Sequence, residues 1–174
     1  MANTTGGRSN RGRAIGALIG LAIGDAVGTA LEFQRPGSFA PISDIVGGGP
    51  FRLQPGQWTD DTSMAMCLAE SILDTGVLDP ADQLRRYVAW MKNGYWSSTG
   101  SCFDIGGTTS SALTRFDRTG GVVDATIDQE SAANGSLMRL AAVPIRWHMD
   151  LLEAAERSGE SSRTTHPASR PVDA

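Results

Sequence analysis

The sequence predicts an all-α fold with long ordered loops between its helices. Apolar residues recur at helical spacing in several segments, and no segment shows the alternation that is typical of a half-buried strand. Glycine pairs and stretches rich in Gly and Pro separate these segments, as is usual for loops. We find no internal repeat apart from a glycine spacing near the N-terminus. A single helical domain is therefore expected.

The composition is that of an ordinary globular domain. The 174 residues suffice for one sizeable core, with 40% hydrophobic and 20% charged residues. The net charge of −4 and the absence of a basic stripe argue against nucleic acid as a partner. The two cysteines form no CxxC pair, so reduced thiols of a cytosolic protein and a single disulfide both stay open.

The N-terminal segment resembles a secretory signal at first sight. Residues 1–10 are polar and are predicted to be a disordered tail, and arginines precede the apolar run AIGALIGLAIG. However, Asp25 closes that run, no clean cleavage site follows, and the run is too short to span a bilayer. We therefore expect a cytoplasmic protein without a membrane partner rather than an exported one.

The first helix is predicted from Arg11 to about Leu31. It carries a glycine at every fourth position, and each costs roughly 1 kcal/mol against alanine inside a helix. The favoured interpretation is close packing of another backbone against this face. Asp25 and Glu32 are two turns apart and should share a face. The glycines are Gly16, Gly20, Gly24 and Gly28.

Residues 35–58 and the helices after them follow from local signals. The first of these segments has many Pro and Gly residues and no period, so it is predicted to be an ordered loop, of a length that is usually functional or mobile. Helix 2 should start at Thr59 and stop at Gly76. Helix 3 should have Asp79 as its N-cap, and Gly94 should end it.

The second half of the chain is predicted less sharply. Helix 4 should cover Thr108 to Arg118, and the stretch NGSLMRLAAVPIRW should be a loop that enters helix 5. Helix 6 should run from about Met149 to Arg157, and the final THPASRPVDA ends where another helix could start.

The stretch QWTDDTSMA places two carboxylates side by side. With Thr59 as N-cap, Asp60 and Asp61 occupy the first helical positions, where free N–H groups and the helix dipole stabilise negative charge. That environment would suit an ordinary helix start. The diverging carboxylates and flanking hydroxyls would equally suit hard divalent cations. From composition alone, both interpretations stay open.

Four stretches together resemble the ADP-ribosylglycohydrolase family, which includes the dinitrogenase reductase-activating glycohydrolases. They are GALIGLAIGDAVGTALEF, GQWTDDTSMAMCLAESIL, CFDIGGTT and NGSLMRLAAVPI, in that order, and ERSGESSRTTHPASRPVDA is a weaker fifth. The similarity runs from about Gly16 to the last residue. It implies an all-α hydrolase that uses Mg²⁺ or Mn²⁺ in a two-metal site.

The resemblance also implies roles for individual residues. Metal ligands would come from Thr59, Asp60 and Asp61, and Glu32 would act beside the metals in catalysis together with the two aspartates. Asp104 would face a substrate guanidinium. The remaining substrate-binding residues would be a loop that cradles ADP-ribose and a histidine near its phosphates: Asn134, Gly135, Ser136, Met138 and His166.

One family feature is missing from this chain. Family members carry a C-terminal Asp-x-Asp-Thr motif with the remaining metal ligands, and no such motif follows Asp61. Residues 11–174 are therefore expected to be a partial, C-terminally truncated domain with an incomplete metal site.

Two functional hypotheses follow. The first is hydrolysis of the N-glycosidic bond between ADP-ribose and a protein side chain, with arginine as the expected linkage. It would need a separately encoded C-terminal half, so the isolated chain should be impaired. The second is an inactive remnant, or a fragment that binds ADP-ribose without catalysis.

Overall fold

The computed structural model describes residues 9–122 and 132–174. Within these ranges the only β pairing is an isolated antiparallel bridge between Gly48 and Leu53, which confirms the all-α prediction. The predicted disorder of the tail lies, for residues 1–8, outside the described residues. The described helices are α1 (Asn10–Gly28) with a 3-10 turn (Thr29–Leu31), α2 (Asp60–Thr75), α3 (Pro80–Asn93), α4 (Gly107–Thr119), α5 (Ala142–Arg146), α6 (Leu151–Arg163) and α7 (Ser169–Asp173).

Local end signals set the limits of α2 and α3, as predicted. Gly76 follows α2 with a φ of 75°, and Gly94 follows α3 with a φ of 67°, so both adopt the left-handed conformation that favours glycine. Asp79 caps α3 because its carboxylate accepts hydrogen bonds from the N–H groups of Ala81 at 2.9 Å and Asp82 at 3.0 Å.

Helix α6 is longer than predicted. It runs six residues beyond Arg157, to Arg163, and α7 forms in the final stretch, where the sequence allowed another helix to start. Gly159 does not end α6 because it is buried and faces α7: a Cβ added there would lie 3.5 Å from Val172. Tertiary packing therefore overrides the low helix propensity of this glycine.

The core lies where α2 and α3 pack together with α4, α5 and α6. Its central side chains are fully or almost fully buried. Their spacing along α2 and α3 is the apolar periodicity seen in the sequence. The largest fully buried members are Met64, Leu68, Leu84, Tyr87, Trp90, Leu113 and Val143.

Helix α1 is attached to this core along only part of its surface. The prediction that its glycine face is closely packed is wrong within the described residues, because a Cβ added at Gly16, Gly20, Gly24 or Gly28 would meet nothing within 4 Å. Three isoleucines beside this face are about half exposed: Ile15, Ile19 and Ile23. One side of α1 is therefore open in this chain.

Helix α1 is longer than the apolar run AIGALIGLAIG, which by itself is too short to span a bilayer. Together with its 3-10 turn it spans 22 residues, and its most apolar 18-residue window has a mean hydropathy of 1.8, so it is long and apolar enough to cross a membrane. Only 11% of its most apolar window is buried. Core helices of soluble proteins and N-terminal signal sequences have the same length and composition, so this feature does not by itself indicate a membrane span.

Candidate active site

Four carboxyl groups form one wall of a cavity of about 260 Å³. They come from the end of the first helical segment, the start of α2 and the loop before α4: Glu32, Asp60, Asp61 and Asp104. A second cavity of about 290 Å³ shares Glu32, Asp61 and Asp104 with the first, and its lining also includes Asp25 and Thr59. The structure thus brings the predicted metal ligands, Glu32 and Asp104 together, although they are far apart in sequence.

Asp25 positions the start of α2, and the sequence reasoning did not assign it to the site. Its carboxylate accepts hydrogen bonds from the backbone N–H of Thr59 at 3.0 Å and of Thr62 at 3.1 Å. It also accepts from the hydroxyls of Thr59 at 2.9 Å and Thr62 at 2.7 Å. A carboxylate from α1 therefore supplies the N-terminal cap of α2. The sequence signal that could have placed Asp25 at the site was its predicted position on the same helix face as Glu32.

Thr59 is the N-cap residue of α2, as predicted, but its side chain does not cap the helix. Its hydroxyl lies 2.9 Å from Asp25 and 3.4 Å from Asp61 instead. Asp60 and Asp61 occupy the first helical turn. The sequence therefore predicted their positions, but the acceptor that fixes this turn comes from another helix.

Asp104 projects from a backbone that few residues adopt. Its φ is 57°, in the left-handed region, which aspartate tolerates better than most non-glycine residues. Asp104 and Glu32 line both cavities, so their carboxyl groups are neighbours in the acidic wall.

Burial and mutual repulsion raise the pKa values of the four carboxyl groups in this wall. Burial, followed by the charges of Asp104 and Asp61, raises the pKa of Asp60 to about 8. Burial and the neighbouring Glu32 charge raise the pKa of Asp104 to about 7. The pKa values of Glu32 and Asp61 are raised as well, chiefly by burial. Such a concentration of shifted acids is typical of functional sites.

The opposite wall of the cavity is built from hydrogen-bond donors rather than acids. The N-terminus of α4 lines it, and its N-cap Gly106 provides no side-chain acceptor for the first N–H groups. The lining is completed by residues of the 133–138 segment and by one imidazole. A helix N-terminus favours anions, so the cavity is negative on one side and suited to negative charge on the other. The additional lining residues not named from the sequence are Gly107, Thr108, Thr109 and Ala133.

His166 lies in this donor wall against Gly135. A Cβ on Gly135 would lie 3.0 Å from Nε2 and 2.9 Å from Cε1 of the ring, so glycine is required for this close approach. The Nδ1 atom lies 2.8 Å from the Thr165 hydroxyl. Burial and the positive charge of Arg139 lower the pKa of His166 to about 4, so the imidazole is neutral near pH 7.

The predicted loop residues do not all reach the cavity. Asn134, Gly135 and Met138 line it. Ser136 is not among its lining residues; it is buried, and its hydroxyl accepts a hydrogen bond from Ser162 at 2.8 Å. In this structure Ser136 holds α6 against the loop, and a contact between Ser136 and ADP-ribose stays a prediction.

The oxygen ligands that Thr59, Asp60 and Asp61 offer are suited to a hard divalent cation, but this ligand set is incomplete. Carboxylate and hydroxyl oxygens are the ligands that Mg²⁺ and Mn²⁺ prefer, and a cation would relieve the repulsion that raises these pKa values. However, no group of three or more His, Cys, Asp or Glu side chains in the described part of the chain is arranged to hold a metal ion. Thr59, Asp60 and Asp61 therefore fit a cation by chemistry, without forming a finished site.

The chain is similar to known proteins over most of its length. The model of the ADP-ribosylglycohydrolase family matches residues 7–174. An ADP-ribosylarginine hydrolase, Tri1, of Serratia proteamaculans is 47% identical over 90% of this chain and 42% of its own length. The Tri1 protein of Pseudomonas putida is 46% identical over 92% of the chain and 43% of its length.

More distant relatives agree. The ADP-ribosyl-[dinitrogen reductase] glycohydrolase of Rhodospirillum rubrum is 37% identical over 76% of this chain and 44% of its own length. A solved structure described as an ADP-ribosylglycohydrolase-related protein complex superimposes with a TM-score of 0.79 at 38% identity, covering 94% of this chain and 52% of that one. This chain therefore spans less than half of the length of these curated relatives. The family match over nearly the whole chain shows that it belongs to the ADP-ribosylglycohydrolase family.

Proposed function

We propose that this chain carries the acidic half of a metal-dependent active site that hydrolyses the N-glycosidic bond between ADP-ribose and a protein side chain, with arginine as the favoured linkage. The single observation that carries the proposal is the two-sided cavity, with carboxyl groups on one wall and the α4 N-terminus, Gly135 and His166 on the other. ADP-ribosyl-arginine has matching parts: a cationic guanidinium at one end and phosphates at the other.

The residues of the two walls would have distinct tasks. Asp104 lies in the carboxyl wall, where an ionised side chain would attract the guanidinium. On the opposite wall, N–H groups of α4 and the 134–135 segment would hold phosphate. The site would thereby place the ribose C1 between the two walls, next to Glu32, Asp60 and Asp61.

The reaction breaks the bond between C1 of the ribose and the guanidino nitrogen. A water oxygen bonds to C1 as the C1–N bond breaks, and the electron pair of that bond goes to the guanidino nitrogen. One water proton passes to a carboxylate of the acidic wall, and this carboxyl group then gives a proton to the leaving nitrogen. When bound, Mg²⁺ or Mn²⁺ would supply positive charge that orients the ribose hydroxyls and acidifies water. Thr59, Asp60 and Asp61 would hold it from this chain. We further propose that the protein acts in the cytoplasm.

A second candidate is a chain that binds ADP-ribose without turnover. The incomplete ligand set of the described residues favours it. Clamping both sides of a reacting centre needs a complete metal site. We therefore expect the isolated chain to hydrolyse ADP-ribosyl-arginine poorly, while it still binds ADP-ribose.

Two assays on the same samples separate these candidates. Calorimetric titration with ADP-ribose in Mn²⁺ measures binding, and chromatography of ADP-ribosyl-arginine mixtures measures hydrolysis. Gly135→Ala should abolish binding because its Cβ would collide with His166, whereas Gly16→Ala on the open face of α1 is the matched control. Turnover that Asp60→Asn removes, in the chain alone or with the C-terminal half of a Tri1 relative added, would establish the enzyme. Binding without turnover in both samples would establish the second candidate. The absence of both in the wild-type chain would contradict both.

A further inference from the structure

Arg139 is a buried cation that the proposed reaction does not use. It is fully buried, its guanidinium stacks 4.6 Å from the centre of the Tyr87 ring, and it has no ion pair within the described residues. Its Nε and Nη1 atoms lack hydrogen-bond partners there. An incompletely satisfied buried charge costs stability, so its presence requires an explanation.

The one short hydrogen bond of this guanidinium leads towards the cavity. Arg139 Nη2 donates to the Thr165 hydroxyl oxygen at 2.7 Å, and the same oxygen lies 2.8 Å from His166 Nδ1. The opposite edge of the imidazole, with Nε2, faces Gly135 in the cavity wall. Within the described residues Nε2 forms no hydrogen bond, so it is free for a ligand.

The number of protons available to the hydrogen bonds from Arg139 through Thr165 to His166 fixes the tautomer of His166. A guanidinium can only donate, so the Thr165 oxygen accepts from Arg139. Its single hydroxyl proton then needs an acceptor, and His166 Nδ1 is within reach. If Nδ1 carried the proton, both neighbours would donate to the same oxygen, and the hydroxyl proton would be buried without a partner. A neutral histidine that accepts at Nδ1 must hold its proton on Nε2.

We propose that Arg139 and Thr165 form a hydrogen-bond relay that fixes His166 as the Nε2–H tautomer, so that His166 donates a hydrogen bond to an oxygen of the ligand. Arg139 and Thr165 are positioning residues in this scheme because neither of them lines the cavity. The assignment of the ligand as ADP-ribose rests on the proposed function, whereas the tautomer rests on the contacts alone. An Nε2–H group is a donor and not a base, so His166 would bind a phosphate or hydroxyl oxygen and would not accept the proton of water.

Nitrogen NMR of the uniformly ¹⁵N-labelled chain tests the relay directly. The chain has only two histidines, so His148→Gln identifies the His166 signals. The wild-type spectrum should show a protonated Nε2 and an unprotonated Nδ1. Thr165→Val should mix the two tautomers, Thr165→Ser should restore the wild-type pattern, and Arg139→Met should shift the population towards Nδ1–H. Backbone amide spectra verify that each variant is folded.

The outcomes separate the relay from the proposed function. A wild-type spectrum with Nδ1 protonated overturns the relay, even if no variant folds, and so does an unchanged pattern in folded Thr165→Val. ADP-ribose should shift the Nε2 signal and bind about tenfold more weakly to Thr165→Val, as expected for one lost hydrogen bond. If the tautomer is as stated but ADP-ribose leaves Nε2 unchanged, the relay stands and the assigned ligand is wrong.

Discussion

The geometry of the acidic wall depends on Asp25. It accepts hydrogen bonds from two backbone N–H groups and two hydroxyls at the start of α2, so its removal takes one acceptor away from all four donors. Asp150, which caps α6 through two N–H groups at 3.0 Å, is a matched residue with an ordinary capping role. The two aspartates therefore allow a direct comparison.

We expect Asp25→Ala to lower the free energy of unfolding by about 2–3 kcal/mol, against about 1 kcal/mol for Asp150→Ala. Urea denaturation at pH 6 measures both, because at that pH Asp60 and Asp104 still hold protons and repel Asp25 less. Equal losses in the two variants would show that the cross-helix cap adds nothing to an ordinary one.

The raised pKa values of Asp60 and Asp104 predict how stability depends on pH. In the folded chain Asp60 and Asp104 keep their protons up to pKa values of about 8 and about 7, whereas in the unfolded chain both acids ionise near their ordinary pKa of 3.8. The folded state then binds more protons, so its stability decreases as the pH rises through this range. His166 has the opposite sign, because its lowered pKa of about 4 makes stability rise between pH 4 and 6.5.

With EDTA present, we therefore expect the melting temperature to fall between about pH 6.5 and pH 8.5. In this range the rise in stability that His166 causes is already complete. Asp60→Asn should flatten this decrease, and excess Mn²⁺ should reverse it at pH 8.5 if the carboxylates bind the cation. Differential scanning calorimetry at a series of pH values measures the slope. A melting temperature that is constant or rises over this range would contradict the assigned pKa values.

At the scale of single elements, the glycines of α1 test whether its face is open. Because nothing lies within 4 Å of a Cβ at Gly16 or Gly20, alanine should add helix propensity without a clash. Each substitution should stabilise the chain by about 0.5–1 kcal/mol in thermal or urea unfolding. Gly94→Ala is the contrasting control, since Gly94 has a φ of 67° and the Gly100 backbone crowds it, so it should destabilise. A loss of stability in Gly20→Ala would mean that another polypeptide covers the face.

Helix limits could be predicted where a local signal sets them, and not where a distant contact does. The pair Asp79–Pro80 and the glycines that follow the helices act within one helical turn. The limits of α2, α3 and α4 were therefore predicted correctly. Asp25 lies 34 residues from Thr59, and no periodicity reveals that contact. The end of α6 depends on α7, which packs over Gly159. The site residues were predicted by family resemblance, whereas the Thr165–His166 contact needed three-dimensional coordinates.

At the scale of the whole molecule, large apolar side chains stay exposed at several places. Ile19 on α1 is 53% exposed, and Leu152 at the start of α6 is 85% exposed. Contiguous apolar surface commonly drives association. The isoleucines on α1 lie in a row beside the open glycine face, so we expect α1 to be the main association surface.

We expect the wild-type chain to self-associate at micromolar concentrations and Ile19→Lys to shift it towards the monomer. Leu152→Lys adds the same charge at a separate exposed position and should change the distribution less. Sedimentation velocity over a range of concentrations measures the species. A wild-type chain that is monomeric throughout would show that the apolar face of α1 is too small to drive association.

The cap that α1 provides to α2 also has a kinetic consequence. Elements with little buried surface open locally more often than the core, without global unfolding. When α1 detaches, Asp25 leaves with it, and the first turn of α2 loses the acceptor that fixes Thr59 and Thr62. Amide hydrogen exchange should therefore show α1 and the N–H groups of Thr59 and Thr62 opening as one unit, faster than the middle of α2. The acidic wall would then be in its folded geometry only while α1 is attached.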